Sequence, residues 1–250
     1  MKVPKIVWDL FFSAGVPLML LSSDLFKTGF SFKSILGPVW VIVLASLIPA
    51  IYIIWDFVRN KVFNPVTMVV AAGAIVQGML SFWQVSGWQY ALKDSYTPAF
   101  IALVMLVSLI INRPFFTAFI RFTLNPDTPE RKSLFDRYLN HPAIKKMLFW
   151  GTVVIFIEST INAGVNFLVH KQLLTDPFGT DAFIKQLETA TATMRPISII
   201  STLIGYGLAF YMLNWASKNE FGDKASPLED HFWEALEQHH NPQPTPNSAD

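Results

Sequence analysis

A carboxylate stands in the middle of an otherwise apolar stretch. Glu158 is the twelfth of the 23 residues between Lys146 and His170. An ionised carboxylate at bilayer depth costs about 3 kcal/mol on insertion scales. Glu158 must therefore be protonated, paired or in contact with water. Asn162 and Asn166 follow at four-residue steps, which keeps all three within about 80° on a helix surface. A carboxyl group beside two amides can bind a proton, a cation or a polar solute. The same stripe can equally be a buried polar cluster that fixes helix packing. Gln77, Ser81 and Gln84 form a second stripe, within about 60°, and Gln77 and Ser81 are candidates to line the opposite wall. Ser198, Thr202 and Tyr206 form a third, with Tyr206 a candidate donor to Glu158. The candidate substrate- or ion-binding set is thus Glu158, Asn162, Asn166, Gln77, Ser81 and Tyr206. Lys93 and Asp94 read as interfacial anchors or as the lip of a site. Asp56 and Arg59, three residues apart, read as an ion pair. Asp9 sits one turn inside the first apolar run, where it can snorkel or pair with a lysine.

The elements that must carry these groups are transmembrane helices. Apolar residues make up 52% of the 250-residue chain and charged residues 15%, against about a quarter charged in soluble domains. The charges crowd into a few segments and leave apolar stretches of about 20 residues, the length a ~30 Å hydrocarbon core asks of a helix. Alternating ten-residue strand patterns are absent, which argues against an outer-membrane barrel. The expected fold is all-α: a polytopic bundle over residues 1–217, followed by a polar cytoplasmic tail, 218–250. Six spans are expected, at about 6–23, 36–57, 65–85, 94–112, 147–169 and 196–217. Pro49 predicts a kink in the second. Pro65 suits the first turn of the third, and Arg113-Pro114 ends the fourth. Lys2 and Lys5 before an apolar run resemble a signal peptide, but Asp9 and the lack of a small-residue cleavage site make this a retained helix. With the amino terminus inside, cytoplasmic segments hold 13 of the 19 Lys and Arg residues. That asymmetry puts both termini in the cytoplasm. Pairs such as Ala74/Gly78, Ser159/Ala163 and Ser201/Gly205 allow close helix approach.

Between the fourth and fifth spans, residues 114–124 carry four phenylalanines and Arg121 and are expected to lie in the membrane interface. Thr128-Pro129-Glu130 reads as the start of a short amphipathic helix. Residues 171–194, between the fifth and sixth spans, mix acids with Phe183, Ile184 and Leu187 and suggest a surface helix. In the tail, Ser226-Pro227-Leu228-Glu229 has capping-box spacing, and Leu228, Phe232, Trp233 and Leu236 share one face. That helix is free to dock on the membrane, on the body of the protein or on a protein partner.

No phosphate-binding loop, dinucleotide fingerprint, nucleophile elbow or metalloprotease helix occurs, so no catalytic residue is assigned and no cofactor is implied. His231, His239 and His240 are too sparse to define a metal site. There are no cysteines, which removes disulfides and thiolate clusters. A net charge of +1 gives no footprint for nucleic acid. The lipid bilayer is the one partner composition demands.

The stretch from Lys93-Asp94-Ser95 through Leu109 to Arg113-Pro114, with Asn64-Pro65 before it, resembles the intracellular septation protein A-like family of bacterial inner-membrane proteins. The resemblance covers about a third of the chain. It implies a bacterial inner membrane and a role in cell-envelope maintenance or division, without a catalytic act. Three functions follow as expectations. The first is a small ion-coupled transporter built around Glu158. The second is a non-catalytic envelope scaffold that presents the 114–146 loop and the tail helix to partners. The third is a membrane enzyme acting on lipid.

Overall fold

The computed structural model describes residues 11–22, 30–60, 65–124, 126, 128–227, 229 and 231–240. Asp9, Asn64 and Leu228 lie outside them. The described residues are helical, with no strand among them. A π-helical turn, Phe11–Gly15, leads into α1 (Val16–Leu21); α2 (Phe32–Leu36), α3 (Pro38–Asn60) and α4 (Pro65–Ser81) follow. Next come α5 (Gly87–Asp94), α6 (Tyr96–Ile110), α7 (Phe115–Leu124), α8 (Pro129–Asn140), α9 (Pro142–Leu173), α10 (Asp181–Phe221) and α11 (Phe232–His240). The chain forms two compact units, Met1–Ala102 with Ser159–Ser201, and Leu103–Glu158 with Thr202–Asp250. Helices α6, α9 and α10 each contribute to both.

Among the described residues three helices, α3, α9 and α10, are long and apolar enough to cross a bilayer, and α5 with α6 makes a fourth if the bent pair is one span. The chain is accordingly an integral membrane protein. Side-chain partitioning agrees with a lipid solvent. On α9 the buried residues include Thr152, Ser159, Asn162, Asn166 and His170, while Trp150, Ile157, Ile161 and Leu168 face outward. On α10 Ile199, Ile200, Leu203, Ile204 and Leu208 are exposed. Water would penalise such an arrangement by about 25 cal/mol per Å². In hydrocarbon the penalty vanishes, and the polar groups are the ones that need shelter.

Several helix limits follow from local chemistry. Pro38 and Pro65 open α3 and α4, where a missing N–H costs nothing. At the end of α6, Asn112 adopts φ 54°. The Arg113 N–H donates to the Ser108 carbonyl at 2.9 Å, and the Asn112 N–H to Leu109 at 3.1 Å. This is a Schellman closure with asparagine in the left-handed position, sealed by Pro114. The Thr128 hydroxyl caps α8 by accepting from the Arg131 N–H at 3.2 Å, with Pro129 in the first turn.

The segment expected as a single helix over 94–112 differs. Its helix begins at Gly87 and breaks at Ser95 with a 50° bend. Pro98 supplies the reason, because it has no N–H for the carbonyl four residues back and its ring crowds that carbonyl. The residue four back is Asp94. The fifth and sixth helices run beyond 147–169 and 196–217, to Pro142–Leu173 and Asp181–Phe221. Pro196, read as a helix start, lies inside α10. Of residues 171–194, which suggested a surface helix, 171–173 end α9 and 181–194 are the first turns of α10. Its Phe183, Ile184 and Leu187 are buried with Leu174, Tyr90, Val41 and Ile42 in the core of the first unit.

In the second unit the tail helix docks on the loop helix. Phe135, Tyr138 and Leu139 of α8 are buried, as are Phe232, Ala235 and Leu236 of α11. Phe135 meets Phe232 and Trp233 edge-on at 6.5 and 5.7 Å, and Tyr138 meets Phe232 at 5.2 Å. The Ser217 hydroxyl donates to the Ala225 carbonyl, and Lys218 pairs with Glu229 at 3.2 Å. Of the three docking modes open to the tail, these contacts are with the protein's own body.

Candidate functional site

Glu158 lies midway along α9, on the face that meets α10. A Cβ added at Gly205 would lie 2.7 Å from Glu158 Cγ and 3.0 Å from its Cβ. The glycine therefore makes room for the carboxylate stem. The Thr202 hydroxyl is 3.5 Å from Glu158 Oε1. Tyr206 is an electrostatic neighbour of Glu158, with its ring against Phe119 at 5.5 Å. One turn from Gly205 the pattern repeats, since a Cβ at Gly151 would come within 2.6 Å of the Phe116 ring and 3.4 Å of the Ala209 Cβ. Gly205→Ala is expected to push Glu158 off its seat and to cost about 1–3 kcal/mol, the usual penalty for overpacking. Thermal unfolding in detergent measures it, and an unchanged midpoint would remove Gly205 as the determinant of where the carboxylate sits.

The other expected residues belong to the first unit. Asn162 Oδ1 accepts from the Ser198 hydroxyl at 2.9 Å. Ser81 donates to the Gln77 carbonyl of its own helix at 2.9 Å, and the buried Gln77 Oε1 has no partner. Asn166 does more. Its Nδ2 donates to the Asp94 carbonyl at 3.1 Å and lies 3.4 Å from Asp94 Oδ2. The carbonyl that Pro98 leaves without a donor thus receives an amide from α9, which is how a broken helix keeps its backbone satisfied in lipid.

Around that break the first unit assembles a charged cluster. His170 is 1% exposed; its Nδ1 is 2.9 Å from the Asn166 carbonyl and its Nε2 is 3.1 Å from Asp94 Oδ2. The Nε2 contact is close but lies off the hydrogen-bond axis. Lys93 is 4% exposed. It donates to the Trp83 carbonyl at 2.9 Å and lies over the Tyr90 ring at 5.1 Å. Arg195 of α10 is an electrostatic neighbour of Asp94, and its Nη1 is buried without a hydrogen-bond partner. In the sequence Lys93 and Asp94 read as interfacial anchors or as the lip of a site, and His170 as the limit of an apolar stretch. The signal for His170 was present, because it continues the four-residue series 158, 162 and 166. Nothing local in the sequence marks Arg195 or the Trp83 carbonyl.

The candidate residues thus fall into separate polar assemblies, among them Glu158–Thr202–Tyr206 in the second unit and Asp94–Asn166–His170 with Lys93 and Arg195 in the first. The former offers a carboxyl group on an apolar helix. The latter offers a carboxylate, an imidazole and two cations at a helix break. No known protein family, curated protein or solved structure matches the chain.

Proposed function

We propose that this protein is a small ion-coupled carrier of six membrane spans in a bacterial inner membrane, with both termini cytoplasmic and Glu158 as its proton- or cation-binding carboxylate. The observation that carries the reading is Glu158 itself. It is a carboxyl side chain halfway along a 32-residue apolar helix, seated on a glycine with a hydroxyl at 3.5 Å. Intramembrane carboxyl groups are costly and typically serve ion or proton movement. The bend at Asp94 adds support, since interrupted helices are a recurrent feature of carriers. The buried, unpartnered Gln77 Oε1 is a further polar group a solute can use. Six spans require the segments around 6–23 and 65–85 to cross as well; the 13-to-6 division of basic residues supports this orientation. The scaffold reading draws less support, because the apolar face of the tail helix is spent on α8.

The test is labelling of the full protein in bilayers with dicyclohexylcarbodiimide, which attacks protonated carboxyl groups in apolar surroundings, mapped by mass spectrometry across a pH series. Modification at Glu158 that fades as pH rises is the expected result, with Glu158→Gln as the unlabelled control. A Glu158 that stays unmodified at every pH would reduce it to a packing residue and overturn the assignment.

A further inference from the structure

We propose that the cluster at the break between α5 and α6 binds a small organic carboxylate, with the Arg195 guanidinium meeting its oxygens and Lys93 adding a second positive charge. Charge is the first reason. Lys93 of α5 and Arg195 of α10 are electrostatic neighbours of Asp94, and among the described residues no other acid acts on either. The cations therefore outnumber the acid by one, whatever the state of His170. Lys93 is 4% exposed and donates to the Trp83 carbonyl, with its ammonium over the Tyr90 and Phe178 rings at 5.1 and 6.0 Å. A carbonyl and two ring faces shelter that charge without cancelling it. Arg195 is less well served. Its Nη1 is buried without a hydrogen-bond partner, and among the described residues no carboxylate stands within ion-pair distance of it. A buried charged donor left without an acceptor is costly. An anion entering the cluster supplies both the acceptor and the missing charge.

The surrounding groups select the kind of anion. A guanidinium holds its N–H donors in a planar fork, which matches the two oxygens of a carboxylate better than a spherical halide. A single excess charge matches a monoanion. A phosphate dianion would bring a further charge toward Asp94, which keeps 35% of its side-chain surface open and repels it. Asp94 does not fill the role itself. Its Oδ2 is turned to α9, where His170 Nε2 lies at 3.1 Å and Asn166 Nδ2 at 3.4 Å. That the bound anion is the solute carried rests on the carrier reading above; the binding itself does not.

The test is equilibrium dialysis of radiolabelled propionate against the full protein in nanodiscs of neutral lipid, with empty nanodiscs as the blank. Saturable binding is expected, displaced by unlabelled propionate and not by equimolar chloride. Arg195→Lys keeps the charge and loses the fork, so it should bind about tenfold more weakly, the loss of one charge-assisted hydrogen bond. Asp94→Asn removes the opposing charge and keeps the shape, so it should bind propionate more tightly than wild type. No saturable binding, displacement by chloride as effective as by propionate, or unchanged affinity in Arg195→Lys overturns the proposal. Equal or weaker binding in Asp94→Asn also overturns it, because the carboxylate would then not oppose the ligand. Binding of radiolabelled glycine without binding of propionate would reassign the site to a zwitterion and overturn the monoanion. Carbodiimide labelling of Glu158 is read separately on the same preparation. Propionate binding without that labelling keeps this site and removes the carrier reading, and labelling without binding does the reverse.

Discussion

Replacing Phe135 with alanine is expected to release α11 from α8, with a local cost of about 3–5 kcal/mol, the range for emptying a buried phenylalanine site. Phe135 is 1% exposed and stacks on Tyr138 at 6.1 Å while meeting Phe232 and Trp233 edge-on. Three aromatic contacts are lost together, and the remaining side chains cannot collapse into the space without moving the helix. At about 1.4 kcal/mol per tenfold, the undocked population should rise about 100-fold or more. Hydrogen exchange by mass spectrometry reads this directly, as lost protection in peptides covering residues 232–240 while α9 keeps its own. Trp233→Ala should do less, because that indole is only half-buried and shares Arg131 as a surface neighbour at 5.6 Å. Unchanged protection over 232–240 in Phe135→Ala would sink the idea that α8 is what holds the tail.

Much of this architecture is written in residue types. The apolar runs announce helices because a bilayer admits little else, and the Pro38, Pro65, Thr128-Pro129 and Asn112-Arg113-Pro114 signals set helix limits through N–H and φ restrictions that act within a few residues. What the sequence hides is tertiary. Pro98 carries a break signal, yet its outcome depends on whether something supplies the donor that Asp94 lacks, and that donor is Asn166, 72 residues away. Reading Lys93-Asp94 as the start of a helix put the charges at an edge, whereas they close one helix and open a bend. Asn162 and Asn166 read as a polar stripe from their spacing, but periodicity cannot tell a solute ligand from a structural donor. Asn166 shows the second use and leaves the first to experiment. Glu158 illustrates the converse. Its cost in lipid is legible from one residue, while the glycine that seats it, Gly205, is visible in the sequence only as half of a small-residue pair.

The second large effect is expected at Asp94, where two substitutions separate charge from shape. Asp94→Leu keeps approximate volume but removes the oxygen that lies 3.1 Å from His170 Nε2 and 3.4 Å from Asn166 Nδ2. It leaves the ring sealed at 1% exposure with nothing to meet its nitrogen, and two cations, Lys93 and Arg195, without their shared anion. Removing one partner of a buried ion pair costs about 3–5 kcal/mol. The low end, about 3 kcal/mol, applies here, since Asp94 itself is partly open and solvent screens part of its charge. Asp94→Asn retains an oxygen for Asn166 and gains an amide for Nε2, losing only the negative charge, so its cost should stay near that of a single hydrogen bond, about 1 kcal/mol. Neither substitution touches the backbone carbonyl that Asn166 caps, so the bend at Ser95 should survive both. Unfolding by denaturant in mixed micelles should therefore rank wild type above Asp94→Asn and Asp94→Leu last by a clear margin. Equal loss in the two variants would mean that charge alone holds the cluster together. No loss in Asp94→Leu would mean that Lys93, His170 and Arg195 are held by packing around them, with the carboxylate a passenger rather than the group on which the break is organised.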